Sequence, residues 1–88
     1  MRKLRVTSQF QKDWEDVPNE IREVAHSATE LLKVNPVDSR YRVKKLQGIV
    51  PSVWRVRIGS YRLVYSFSKT ELVLHRIRLR KDVYKNIS

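Results

Sequence analysis

The chain has 88 residues, 41% of them apolar, which is room for one small domain (residues 1–88) with a thin core. It has no cysteine, which excludes a disulfide scaffold or a thiolate metal centre. Nineteen Lys and Arg against nine Asp and Glu leave a net charge of +10, which points to an anionic partner: nucleic acid, anionic lipid or an acidic protein.

The basic start, MRKLRVTSQF, lacks the apolar run of a signal peptide. No stretch approaches the roughly 20 apolar residues of a membrane span. The expected location is the cytoplasm, with no membrane contact. Lys3 to Val6 reads as a first strand. Ser8 is a fair N-cap for a first helix carrying Phe10, Trp14 and Val17 at helical spacing. Pro18 ends that helix or starts the next. Residues 19–34 then place Ile21, Val24, Ala25, Ala28, Leu31 and Leu32 in one apolar stripe, stopped by Asn35-Pro36. The acidic residues Asp13, Glu15, Asp16, Glu20 and Glu23 read as a solvated face of this helical half.

Val37 to Gln47 is polar, basic and expected to be irregular, with a short turn at Arg40–Lys44. Val53–Ile58, Tyr61–Ser68 and Leu72–Arg80 alternate and are rich in β-branched and aromatic residues, so they read as strands. Gly59-Ser60 is a two-residue hairpin turn. The order is β-α-α-β-β-β. This is an α+β fold with two N-terminal helices packed on one face of a mostly antiparallel sheet.

Charge is uneven along that order. Residues 51–88 hold nine basic and two acidic residues, and six of the nine are Arg, which favours forked contacts to phosphate. A two-residue loop makes Ile58 face Tyr61, Val56 face Leu63 and Trp54 face Tyr65, all on the side that must meet the helices. The other side then opposes Arg57 to Arg62, with Arg55 about 7 Å along the strand. Like charges directly opposite on a sheet are destabilising, and a bound polyanion relieves them. In the last strand, a tight turn at Lys69-Thr70 puts Arg76 and Arg78 on the helix side. A three- or five-residue connection or a bulge is therefore expected. His75 and His26 read as satisfied core histidines, and Trp14 and Trp54 as core anchors.

No familiar catalytic set or metal-ligand spacing occurs, and no cofactor is expected. What remains is arginine and Tyr84. A phenol beside several guanidinium groups has its pKa lowered toward the range of a useful base, and arginines stabilise the charge of a phosphoryl transition state. Such a site cleaves RNA through its own 2′-hydroxyl, without a metal.

The segments KKLQG, VWRVRIGSYRLVY and RIRLRKDVY, with KDWEDVP and the later NP, resemble the RelE/ParE family of toxins from bacterial and archaeal toxin–antitoxin pairs. The resemblance covers nearly the whole chain. It implies a RelE/ParE-like fold and a cognate antitoxin as partner. In the RelE branch it implies a ribosome-dependent endonuclease acting on mRNA. Arg55 and Arg57 match the family's two basic residues of the second strand, Arg62 the Arg of YRLVY, and Tyr84 the C-terminal Tyr. The remaining Arg is Arg78 or Arg80. RNA contacts are expected from Arg55, Arg57, Lys44, Lys45, Arg76 and Lys81. Many relatives carry His where Leu79 stands. The ParE branch instead poisons DNA gyrase; the basic set with Tyr84 favours RelE.

Overall fold

A computed structural model of the chain describes residues 1–46, 48 and 52–79. Its elements are β1 (Lys3–Val6), α1 (Ser8–Glu15), α2 (Asn19–Val34), a 3₁₀ turn (Ser39–Tyr41), β2 (Lys44–Lys45), β3 (Trp54–Ile58), β4 (Tyr61–Phe67) and β5 (Glu71–Leu79). The strands form one mixed sheet in the order β1-β5-β4-β3-β2. β1 runs parallel to β5 and every other pairing is antiparallel. The expected α+β arrangement is present, with β2 as an extra strand. Its two lysines carry no strand signal; they pair because the loop delivers them to the free edge of β3.

Both helices cover one face. Phe10, Val17, Ala25, Ala28 and Leu32 meet Val56, Ile58, Leu63, Tyr65, Leu72, Leu74 and Ile77 in a single apolar cluster. Tyr65 is fully buried, and its hydroxyl donates to the Pro36 carbonyl. Burial raises that phenol's pKa far above its ordinary value, so it stays neutral.

The N-cap of α1 is Thr7, not Ser8. Its hydroxyl accepts from Phe10 N at 3.1 Å and donates to the His75 carbonyl at 3.0 Å, so one side chain both caps the helix and ties it to β5. Pro18 stands at the start of α2, where its φ of −61° suits helix entry. Asn35 ends the helix with extended backbone, as a residue before proline must. The buried stripe of α2 is Ala25, Ala28, Thr29 and Leu32, whereas Val24 is 50% exposed. The stripe is rotated from the expected one because Thr29 returns its hydroxyl to the Ala25 carbonyl at 2.8 Å, which lets it enter the core.

The hairpin register is the expected one: Ile58 pairs with Tyr61, Val56 with Leu63, Trp54 with Tyr65, and Arg57 with Arg62. The turn between β4 and β5 is tight, with Ser68 N donating to the Glu71 carbonyl at 2.9 Å. From there Phe67 pairs with Leu72, Ser66 with Val73 and Tyr65 with Leu74, but Val64 pairs with Arg76. His75 is the extra residue of a β-bulge, the irregularity that parity required. Beyond it Ile77 still faces the helices.

Gly59 holds the β3–β4 turn at φ +60°, and a Cβ there would lie 3.0 Å from Ile21 Cδ1. Gly59→Ala is expected to lower unfolding free energy by about 1 kcal/mol or more in urea titrations, from left-handed strain and the Ile21 contact together.

Candidate nucleic-acid interface

The face away from the helices carries the charge. Arg57, Arg62 and Arg78 are successive partners across β3, β4 and β5, which makes one row of three arginines. Directly opposed Cβ atoms on a sheet lie about 4.5–5.5 Å apart, and like charges there repel. Arg57 is exposed, Arg78 half-buried and Arg62 buried. Arg62 Nη1 donates to the Tyr61 carbonyl at 3.5 Å. Arg57 and Arg78 form no ion pair among the described residues. Of the two candidates for the last arginine, Arg78 stands in the row; Arg80 lies outside the described residues, as do Lys81 and Tyr84. Leu79 pairs with Tyr61 on the opposite face from Arg78.

The next row is Lys44, Arg55, Val64 and Arg76. Lys44 and Arg55 extend the charge, and Val64 begins a small apolar patch with Val53 and Leu46. Arg76, expected among the RNA contacts, is held by Asp13 instead. Its Nε and Nη2 donate to the two carboxylate oxygens at 2.8 and 3.2 Å, and Ile77 N adds a third hydrogen bond at 3.1 Å. The cause lies in the sheet edge. β1 ends at Val6, opposite Leu74, so the later half of β5 lacks a strand partner on that side. Asp13 of α1 supplies the missing acceptor. Both side chains are about nine-tenths buried, so Asp13 is not part of a solvated acidic face.

Lys45 also leaves the expected set. It pairs with Trp54, on the face opposite Lys44, and its Nζ lies 5.7 Å from the Trp54 ring centroid. His75 sits half-buried at the bulge with Nε2 2.7 Å from Ser66 Oγ. Burial, and then the charge of Arg5, lower its pKa, so it is held neutral. His26, read as a core residue, is exposed beside Trp14 and Arg22.

In front of Arg55 and Arg57 lies a cleft of about 420 Å³, lined also by Arg40, Tyr41, Arg42 and Lys44. The first three of these loop residues escaped the sequence reading. Their one signal was the run RYRVKK, which looked like irregular solvated chain. Asp38 organises the loop, accepting from Arg40 N and Nε, each at 3.0 Å. The Arg40 hydrogen bonds lower its carboxyl pKa to about 2, so it stays charged. Among the described residues no three His, Cys, Asp or Glu side chains gather as a metal site. No helix among them is long and apolar enough to cross a membrane.

The family of ParE toxins of type II toxin–antitoxin systems matches residues 4–84. A Methanocaldococcus jannaschii protein named as a candidate toxin, RelE1, is 32% identical over 78 residues, spanning 85% of this chain and 86% of that one. The RelE–RelB complex of Pyrococcus horikoshii superposes with a TM-score of 0.77 at 21% identity, over 92% of this chain and 97% of that one. The RelB–RelE antitoxin–toxin complex of Methanococcus jannaschii gives 0.77 at 25% identity, over 91% and 94%. Escherichia coli YafQ gives 0.76 at 18% identity, over 96% and 99%. The first and last of these structures establish the likeness of fold alone.

Removing one partner of a buried ion pair strands the other. Asp13→Ala is expected to cost about 3 kcal/mol in chemical denaturation, and pairing it with Arg76→Met to recover most of that loss. A single variant as stable as the parent would show that the pair holds nothing.

Proposed function

The chain belongs to the ParE toxin family of type II toxin–antitoxin systems, and on that premise we propose that it is a ribosome-dependent mRNA endonuclease. The observation that carries the reading is the row Arg57–Arg62–Arg78, three guanidinium groups in register on adjacent strands with Arg55 beside them. Such a row is complementary to a phosphate whose negative charge grows in the transition state.

The chemistry follows from that charge. The 2′-oxygen of a ribose attacks the adjacent phosphorus while its proton passes to Tyr84, the base assigned from the sequence resemblance. Arg57, Arg62 and Arg78 stabilise the additional charge on the phosphoryl oxygens. The bond to the 5′-oxygen then breaks, and that oxygen takes a proton from water. A guanidinium, with a pKa above about 12, is a poor donor for that step. The products are a 2′,3′-cyclic phosphate and a 5′-hydroxyl. DNA, lacking the 2′-hydroxyl, is not cut by this route. Arg55 and Lys44 hold neighbouring phosphates. Arg76 supports the site by fixing α1 to β5. A cognate antitoxin with an acidic, partly disordered binding segment is the expected partner, in keeping with the antitoxin-bound forms in which RelE proteins have been crystallised.

The match to ParE toxins favours a second reading, a toxin that arrests DNA gyrase and leaves RNA intact. Mapping of mRNA 5′ ends in a translating extract separates the two. The endonuclease reading predicts new 5′-hydroxyl ends that appear without added divalent metal chemistry and disappear by at least about tenfold with Tyr84→Phe. Arg57→Thr should weaken cleavage similarly without lowering thermal stability, because Arg57 is exposed and forms no ion pair among the described residues. Intact mRNA with trapped DNA breaks would select the gyrase reading. New ends carrying 5′-phosphate would reject the 2′-hydroxyl mechanism.

A further inference from the structure

Six side chains line the cleft beside the arginine row: Arg40, Tyr41, Arg42, Lys44, Arg55 and Arg57. Five are cationic and none is acidic. Asp38, on the same loop, is already committed to Arg40. Its volume of about 420 Å³ falls within the range of small-ligand sites. Tyr41 is the single aromatic in the lining, and it is half-buried, its inner side packed on the main core.

The backbone adds an independent observation. Arg42 has φ +50°, the only non-glycine residue among those described with a positive φ. A side chain with a Cβ adopts that region at a cost, and such residues gather where the chain positions a ligand. The structure explains how the conformation is enforced. Asp38 closes the preceding 3₁₀ turn with bonds to Arg40 N and from Tyr41 N to its own carbonyl, and Lys44 is then captured by β3 opposite Arg55. Arg42, exposed between those two anchors, has to make the corner. Glycine would make it without strain, yet an arginine occupies it.

We propose that this cleft is a nucleotide subsite for single-stranded RNA, holding the phosphate next to the one at the arginine row. Arg42 grips that phosphate together with Lys44 and Arg55, and the exposed part of the Tyr41 ring supports the attached base. Arg57 belongs to both places, so it sets the spacing between them. The inference rests on the RNA reading above and adds to it Tyr41 and Arg42, which that reading does not use.

The test is binding of a short, fully 2′-O-methylated oligonucleotide to the whole chain, measured between about 50 and 200 mM salt. This probe cannot be cleaved, so its binding is read independently of nuclease chemistry. Arg42→Gly should weaken binding about tenfold, the scale of one charged hydrogen bond. It should also flatten the salt dependence by about 0.7, the share of one contact to a single strand. Its melting temperature should hold or rise, since glycine relieves the backbone. Arg42→Lys should keep the parent salt dependence. Lys69→Ala, at the exposed β4–β5 turn, should change nothing. Parent-like RNA affinity in Arg42→Gly would overturn the proposal, as would affinity lost only in step with stability. So would normal RNA binding with weakened binding of an acidic antitoxin segment, which would give the cleft to a protein partner. If Arg42→Gly behaves as expected but the parent never cuts RNA, the subsite stands and the nuclease reading falls.

Discussion

His75 is one residue more than the ladder between β4 and β5 can pair, and the position of every later side chain follows from it. Side chains alternate across a strand, so a single inserted residue exchanges the two faces downstream. Before the bulge, Leu72 and Leu74 face the helices. After it, Ile77 does, and Arg78 falls opposite Arg62 rather than into the core. A regular strand would have directed Arg76 and Arg78 beneath two helices, where unpaired charge is prohibitively costly. The bulge and the arginine row are therefore one feature. Thr7 helps fix it, since its hydroxyl binds the His75 carbonyl while capping α1.

The same strand shows two fates for arginine. Arg76 reaches the unpaired edge of β5 and is neutralised by Asp13, so its charge serves packing between α1 and the sheet. Arg78, two residues on, has no such partner among the described residues and faces Arg62 and Arg57 instead. Composition treats these arginines alike; the end of β1 at Val6 distinguishes them. The core that both helices share holds the sheet beneath the row, and Tyr65 adds a hydrogen bond to the Pro36 carbonyl.

Sequence reasoning reached what short-range rules determine. The Gly59-Ser60 turn fixed the pairing of Arg57 with Arg62, because a two-residue loop leaves one register. Parity alone required an irregularity near β5, although nothing in the chemistry of His75 marks it as the extra residue. The misses share a cause. The Asp13–Arg76 pair spans 63 residues and depends on where β1 stops. Thr29 displaced Val24 from the buried stripe through a hydrogen bond that hydrophobicity does not register. Ser8 was expected as the cap of α1, and the bond from the Thr7 hydroxyl to the distant His75 carbonyl places Thr7 there instead. The cleft residues Arg40, Tyr41 and Arg42 became neighbours of Arg55 and Arg57 only through the folding of a loop around Asp38.

The central claim is that phosphate sits on the row of Arg57, Arg62 and Arg78, and side-chain NMR of the arginines reads it directly. With ¹⁵N-labelled protein and an uncleavable 2′-O-methyl RNA, the Nε–H signals of those three residues should shift together at one binding constant. The Nε–H of Arg76, already donated to Asp13 at 2.8 Å, should stay where it is. Shifts confined to other arginines, with the row unmoved at saturating RNA, would contradict the account.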